Sequence, residues 1–529
     1  MSPAAQQCVL AIDLGTSGPK AALVGSGGRL LATARASVKT IHLPDRGIEQ
    51  DPREIWDAVK QACKQVLSAS GVNSKTVAGI ICSSQYSSIV PVDKHGEPTM
   101  NMILWLDQRG DRRLLGKCDG FPRRVDSPLQ MWRWLRVHGM PPLADGSESM
   151  SHMRWVKFAR PEIYEETDKF LEPMDYLTLK FTGRPTANQS TMFMSLLIDN
   201  RALNVTQYDR QLVAHSLIDL EKLPELLPLD AKVGTVRPEV ADELGLSSET
   251  IVFTGLNDTQ SGGMATYAFT GDHAGLSVGS SSVIITHVPK KKSDIFNALL
   301  TMPSPVPDTY FIMAENGVAG GGLEHFLRHI VFASDHFGEI SQADEFEALN
   351  RAVASVAPGS DKVLFLPWLT GSIAPSPESH MRGGILNLSV QTTRSHMARA
   401  VLEGVALNLR WLHEPVQRFV KRSTSHFIYY GGGAESDEWS QIMADVLGRP
   451  VHQMADPQYA TCLGAGLLAC QRLGFLGFDD FANSVAIKRV YEPQSKFQAT
   501  YDELFEQFVA AFRANRKMFR KLNAKTSPD

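Results

Sequence analysis

Five stretches of this chain carry residue types that could do chemistry together. In the first, the apolar run Val9–Ile12 ends on Asp13, turns through Gly15, Thr16, Ser17 and Gly18, and becomes apolar again after Lys20. Backbone N–H groups in such a turn can converge on phosphate oxygens, because no side chain blocks the approach. The hydroxyls of Thr16 and Ser17 add donors, and Lys20 brings a cation. Asp13 can hold Mg²⁺ through water, since that ion prefers carboxylates with retained waters. The spacing is not GxxxxGK[ST], which excludes a P-loop.

The second stretch, Ala274–Val288, repeats the plan: strand, Gly279-Ser280-Ser281-Ser282 turn, strand. In the third, "FTGLNDTQSGG", Asp258 stands just beyond a strand end and can accept a hydroxyl proton. The plain alternative is that Asp258 caps the next helix. In the fourth, "GGGAES", three glycines between a strand and a helix let a flat ring lie against the backbone. They do not spell GxGxxG, so the dinucleotide fingerprint is absent. Alternation in "ILWLDQRG" predicts Trp105, Asp107 and Arg109 on one face of a strand, a platform for a polyhydroxylated ligand or an ordinary salt bridge.

The elements that must position these residues are α/β in pattern. Strands are predicted at 8–13, 20–24 and 29–34. A helix with an Asp51 cap and Pro52 at its first position follows, then a strand at 77–82. The strand–turn–strand unit recurs about half a chain later. Two domains are therefore expected, 1–255 and 256–529, with their turns facing across a cleft. A chain of 529 residues suits more than one core. A net charge of −4 gives no basic field for a nucleic acid. No apolar run reaches the ~20 residues that cross a bilayer. Six scattered cysteines, no CxxC and an N-terminus without signal features predict reduced thiols and a cytoplasmic setting. The last residues, from Asn523, are expected to be unordered.

Taken together, these motifs resemble the FGGY family of carbohydrate kinases, within the actin, hexokinase and heat-shock-chaperone ATPase superfamily. The resemblance runs from Val9 to about Cys470. It is carried by "DLGTSGPKAAL", "LWLDQR", "LEPMDYLTLKFTG", "GLNDTQSGG", "FLPWLTGSIAP", "RGGILNLSVQTTRSHMARAVLEG", "GGGAESDEWSQIMADVLGRPV" and "LGAGLLA". It implies two RNase H-like, actin-like ATPase domains, with mixed sheets flanked by helices and the active site in the interdomain cleft. It implies ATP and Mg²⁺ as cofactors, a small sugar or polyol as partner, and a possible homodimer.

The resemblance also implies roles. Asp258 would be the catalytic base and, with Asp13, would face the metal. Thr16, Ser17, Lys20, Gly279, Ser280 and Gly320 would face the phosphates and line the nucleotide pocket. Gly433, Ala434 and Asp437 would hold adenine and ribose. Gln85, Tyr86, Trp105 and Asp107 would line the sugar side.

The chain departs from the pattern of xylulose kinases at Tyr86-Ser87, where they carry Met-His, and at Thr259, where Asn is common. It departs from the family at Gly371-Ser372-Ile373-Ala374-Pro375, which lacks the expected Glu-Arg. His152 and Asn387 also depart. The expectation is an ATP-dependent kinase of an open-chain ketose or polyol, xylulose-like first, with glycerol, erythritol, ribulose or gluconate as alternatives. A nucleotide-binding regulator of the same superfamily is the reading from another class.

Overall fold

In the computed structural model, which describes residues 7–336, 338–340 and 344–524, β1 (Cys8–Gly15), β2 (Gly18–Gly25) and β3 (Leu30–Arg35) form an antiparallel meander. Helix α1 (Pro52–Ser70) follows. Asp51 accepts the Arg53 N–H at its start, and Gly71 ends it in the left-handed region, φ 65°. Ile55, Val59, Ala62 and Val66 bury one face of α1 against β2 and β3. The helix returns the chain so that β4 (Val77–Ser84) runs parallel to β1. Helix α2 (Pro173–Thr182) packs on β4, and β5 (Lys232–Thr235) and β6 (Ile251–Phe253) complete a sheet ordered β5-β6-β4-β1-β2-β3.

Helix α3 (Asp258–Ala265) leaves this sheet, and a second one begins. Strands β7 (Ala274–Val278), β8 (Ser281–Val288), β9 (Leu299–Pro303) and β10 (Tyr310–Val318) precede helices α4 (Gly320–Phe326) and α5 (Arg394–Val420). Then come β11 (Phe427–Tyr430), α6 (Asp437–Leu447), β12 (Val451–Met454), α7 (Ala460–Arg472), β13 (Ile487–Tyr491) and α8 (Gln498–Asn523). The sheet is ordered β9-β10-β8-β7-β11-β12-β13, with the two-residue strand Ser293–Asp294 outside β9.

The two sheets share one plan. Each has an antiparallel meander, β1-β2-β3 or β7-β8-β10. The first strand of each meander pairs parallel with β4 or β11, which in turn pairs parallel with β6 or β12. An antiparallel edge strand, β5 or β13, closes each row. The mixed, helix-flanked sheets expected from the resemblance are therefore present. Pairing in the first sheet runs past Gly255, for Leu256 and Asn257 lie beside Ser83 and Ser84 of β4. The chain leaves the first sheet at Asp258, three residues beyond the expected division. Most of the tail expected to be unordered, 525–529, and most of the N-terminal segment, 1–6, lie outside the described residues.

Helix α7 joins the halves. It follows β12 but packs on β1, β2, β4 and α3. Glycine makes that approach possible: a Cβ at Gly464 would stand 1.8 Å from the Ser261 carbonyl oxygen, and one at Gly466 2.4 Å from Val24 Cγ2. Among the described residues, no helix is long and apolar enough to cross a membrane.

Candidate active site

Register sets the site. Leu14 of β1 and Asn257 both lie beside Ser84 of β4, so three neighbouring parallel strands end in one row. The residues at and just past that row are Asp13 to Ser17, Gln85 with Tyr86, and Asp258. Ligands in open parallel sheets gather at this carboxyl edge, where successive chains diverge. The second sheet repeats the arrangement: Ser277 pairs with Tyr430, so the Gly279 turn and the Gly431–Gly433 run start side by side.

Asn257, not Asp258, caps α3. Its side chain accepts the Gln260 N–H at 2.8 Å. The plain alternative for Asp258 therefore fails, and its carboxylate, first in the helix and half-buried, accepts the Thr259 N–H at 2.7 Å. Burial, then the charge of Asp13 and that of Glu315, push the Asp258 carboxyl up to about 7, against the pull of Lys20. A carboxyl that titrates near neutrality suits a general base. Its neighbours come from both halves, since Asp13 and Lys20 lie on the first sheet and Glu315 on β10.

Asp13 is buried. Its Oδ2 accepts the Thr461 hydroxyl at 2.6 Å, and its Oδ1 is buried without a partner. That orphaned oxygen beside Asp258 and Glu315 is an excess of negative charge that a divalent cation would balance. Among the described residues, no group of three ligating side chains could hold a metal alone. The donors present fit a hydrated Mg²⁺ that takes its remaining ligands from water and phosphate oxygens.

In the first half, among the residues expected on the sugar side, Trp105 Nε1–H donates to Thr16 Oγ1 at 3.3 Å, and the Thr16 hydroxyl donates to Gln85 Oε1 at 2.6 Å. Gln85 is 4% exposed, and its Nε2 has no partner. The relay leaves the Gln85 amide nitrogen buried without a partner. It also redirects Thr16, whose hydroxyl serves Gln85 and Trp105. Ser17, exposed at the tip of the turn, is the hydroxyl left facing outward. Tyr86 donates its hydroxyl to Met313 Sδ at 3.0 Å, bridging to β10.

The expected strand over Trp105, Asp107 and Arg109 is a turn. The Asp107 N–H donates to the Leu104 carbonyl, and the Asp107 side chain is fully buried. Its carboxylate accepts the Ile48 N–H at 2.8 Å and the Arg109 N–H at 2.9 Å, and it pairs with the Arg109 guanidinium at 2.7 Å. Arg109 also pairs with Glu49 at 2.7 Å and lies 3.9 Å over the Trp155 ring. Asp107 thus locks the turn that presents Trp105, with both carboxylate oxygens bonded within the chain. A buried arginine folding back on its own turn outweighs strand alternation.

On the other half, Gly279 and Ser280 are exposed. Gly320 N–H donates to the Gly279 carbonyl at 2.9 Å and Ala319 N–H to that of Ser280 at 2.8 Å. A Cβ at Gly320 would stand 2.4 Å from Gly279 O, which ties this glycine to the turn. Gly433 and Ala434 are buried, and the Ala434 carbonyl accepts Gln453 Nε2–H at 2.7 Å. Asp437 opens α6, and Lys488 holds its carboxylate at 2.7 Å. This ion pair is a partner the sequence motif did not show.

Three neighbours went unnoticed in the sequence: Glu315, Thr461 and Tyr430. The Tyr430 hydroxyl lies over α3, where a Cβ at Gly262 would stand 1.9 Å from it, and burial, with the charges of Asp258 and Asp13 behind it, pushes its pKa up. Glu315 was the most findable, as a lone acid in the apolar run "YFIMAENGV".

Comparison with known proteins matches residues 8–265 to the model of the N-terminal domain of the FGGY family of carbohydrate kinases, and residues 274–472 to that of its C-terminal domain. The chain is 28% identical to a xylulose kinase of Staphylococcus epidermidis, over 98% of each. It is 24% identical to a gluconokinase of Bacillus subtilis, over 97% of each. Its fold matches the crystal structure of a ligand-bound xylulose kinase from Lactobacillus acidophilus with a TM-score of 0.82 at 23% identity, covering 98% of this chain and 100% of that one.

Proposed function

We propose, for a chain that belongs to the FGGY family of carbohydrate kinases and is therefore an ATP-dependent sugar kinase, that the acceptor is the primary hydroxyl of an open-chain ketose or polyol, with xylulose or a related pentulose first. The observation that carries this reading is Asp258. It is uncapped, half-buried, titrates near neutrality, and stands between side chains of both halves. In this role it accepts the proton as the substrate oxygen attacks the γ-phosphorus, and the bond to the β-bridging oxygen breaks to release ADP.

The Ser17 hydroxyl, Lys20 and the backbone of the Gly279–Ser280 turn face the phosphates. Gly433 and Ala434 line the adenine side. Asp13 and Asp258 would hold Mg²⁺, which when bound supplies positive charge to the phosphate oxygens. Gln85, with its unpartnered amide donor, and Trp105 face the sugar, while Thr16 aligns them. Water competes as acceptor, so closure of the halves over bound sugar precedes transfer. The Tyr86–Met313 bridge lies where such closure would act.

The relatives that are gluconokinases make a sugar acid the second reading. The test is ADP release from ATP across D-xylulose, D-ribulose, glycerol, erythritol and D-gluconate. Sugar-dependent release supports the proposal. Release at one rate with every acceptor and with water alone sinks it and favours a nucleotide-driven regulator.

A further inference from the structure

We propose that Glu315 is a specificity-determining residue that accepts a hydroxyl of the acceptor substrate and turns sugar acids away, a step that rests on the kinase reading above. Along β10, Ile312, Ala314 and Asn316 are buried, while Met313, Glu315 and Gly317 are half-buried on the opposite face. That face looks onto the first half, because Met313 receives the Tyr86 hydroxyl at 3.0 Å. Glu315 is the next residue along it. Its charge reaches both Asp258 and Tyr86, which sets it between the base and the loop that carries Gln85.

The surroundings of Glu315 hold little to neutralise it. Met313 and Tyr86 lie on one side. On the other, beyond Gly317, stands the exposed Ile373, whose Cδ1 would be 3.5 Å from a Cβ at 317. Ser281 donates to the Glu315 carboxylate as an uncharged partner. Arg109 is committed to Asp107, Glu49 and the Trp155 ring. Lys20, beside Asp13 in the β1–β2 register, draws on the Asp258 charge. A neutral polyol brings hydroxyl donors, which a carboxylate accepts. A sugar acid brings another anion to a place already holding Asp258 and Glu315, and unbalanced like charge is strongly selected against.

The experiment measures kcat/KM for D-xylulose, D-ribulose and D-gluconate at saturating ATP, in the wild-type chain and in Glu315→Gln. Thermal unfolding and the KM for ATP serve as controls for folding. The expected result is a wild-type preference for the neutral ketoses of ~10²-fold or more, narrowed ~10-fold in Glu315→Gln through both weaker ketose and stronger gluconate turnover. Equal use of gluconate by the wild type overturns the proposal and leaves the kinase reading standing. So does a preference that Glu315→Gln leaves intact. Absence of release with every sugar overturns the kinase reading and this inference with it.

Discussion

The β1–β2 turn and the β7–β8 turn occupy the same place in two sheets of the same plan, yet they are built from different materials. The first is defined by side chains: Thr16 is wired to Gln85 and Trp105, Asp13 to Thr461, and the Thr16 carbonyl to Gln50. The second is defined by backbone, with the Gly279 and Ser280 carbonyls held by the N–H groups of Gly320 and Ala319. A repeated hairpin has been specialised. One copy offers its side chains already wired to one another, and the other offers bare main chain; in the proposed reading the first aligns the sugar side as well as the phosphates, and the second follows the nucleotide. Asp258 stands where the two meet.

The largest effect is expected at that meeting point. Asp258→Asn keeps the shape but cannot take a proton, so turnover should fall by ~10²–10⁴-fold. Nucleotide binding by titration calorimetry should persist. Near-normal turnover would remove Asp258 from the reaction and leave the turns without a shared centre. The same variant carries a stability signature. The Asp258 pKa is raised from 3.8 to about 7 on folding, so its contribution is complete below about pH 4 and is lost as pH rises to about 7. Asp258→Asn should therefore match the wild type in denaturant unfolding near pH 4 and exceed it by about 2–4 kcal/mol at pH 8.

Next in size is the pH dependence of the unmodified enzyme. A base that must be ionised in the free enzyme makes kcat/KM rise about tenfold per pH unit up to a plateau near 7. A profile that is flat from pH 5 to 8 would assign the proton elsewhere.

The division between the turns is sharpened by a matched pair of substitutions. Thr16→Val removes the hydroxyl that aligns Gln85 and Trp105. With ~1–3 kcal/mol of lost or unsatisfied hydrogen bonding, it should raise the sugar KM about tenfold and change the ATP KM little. Gly320→Ala forces a Cβ against Gly279 O, at 2.4 Å in the present geometry, and should raise the ATP KM instead. If both variants move the same KM, the two turns share one task and the contrast is broken. The smallest effect is expected for Thr461→Val, which frees Asp13 Oδ2. It should change the Mg²⁺ concentration for half-maximal ADP release by roughly threefold, the scale of the lower end of one hydrogen bond's net worth.

Much of the site was legible because its parts are local. Asp13 and Lys20 flank a turn whose residue types announce it, and Asp258 follows a strand. Each of these needs only a few consecutive residues. Asp107 was misread for the opposite reason. The alternation of Trp105, Asp107 and Arg109 is what a strand would show, but the guanidinium reaches 60 residues back to Glu49, and that pairing decides the turn. Thr461 lies 448 residues from Asp13 and has no local mark of its partner. Asp437 belongs to a recognisable motif, but its ion pair with Lys488 comes from β13.

By itself, the order of apolar runs, glycine turns and acids determined a twofold α/β architecture, two comparable hairpin turns and one candidate base, because hydrogen-bonding pattern and turn geometry are set by neighbours along the chain. The tertiary structure decided which side chains remain available. Strand register aligned Leu14, Ser84 and Asn257, α7 carried Thr461 back to the first sheet, and β10 brought Met313 onto the Tyr86 hydroxyl. Charge and hydrogen-bond partners act over a few ångströms in space whatever their separation in sequence, so only the folded chain could show that Asp107 is committed to Arg109 and Ile48 while the Gln85 amide nitrogen is left without a partner.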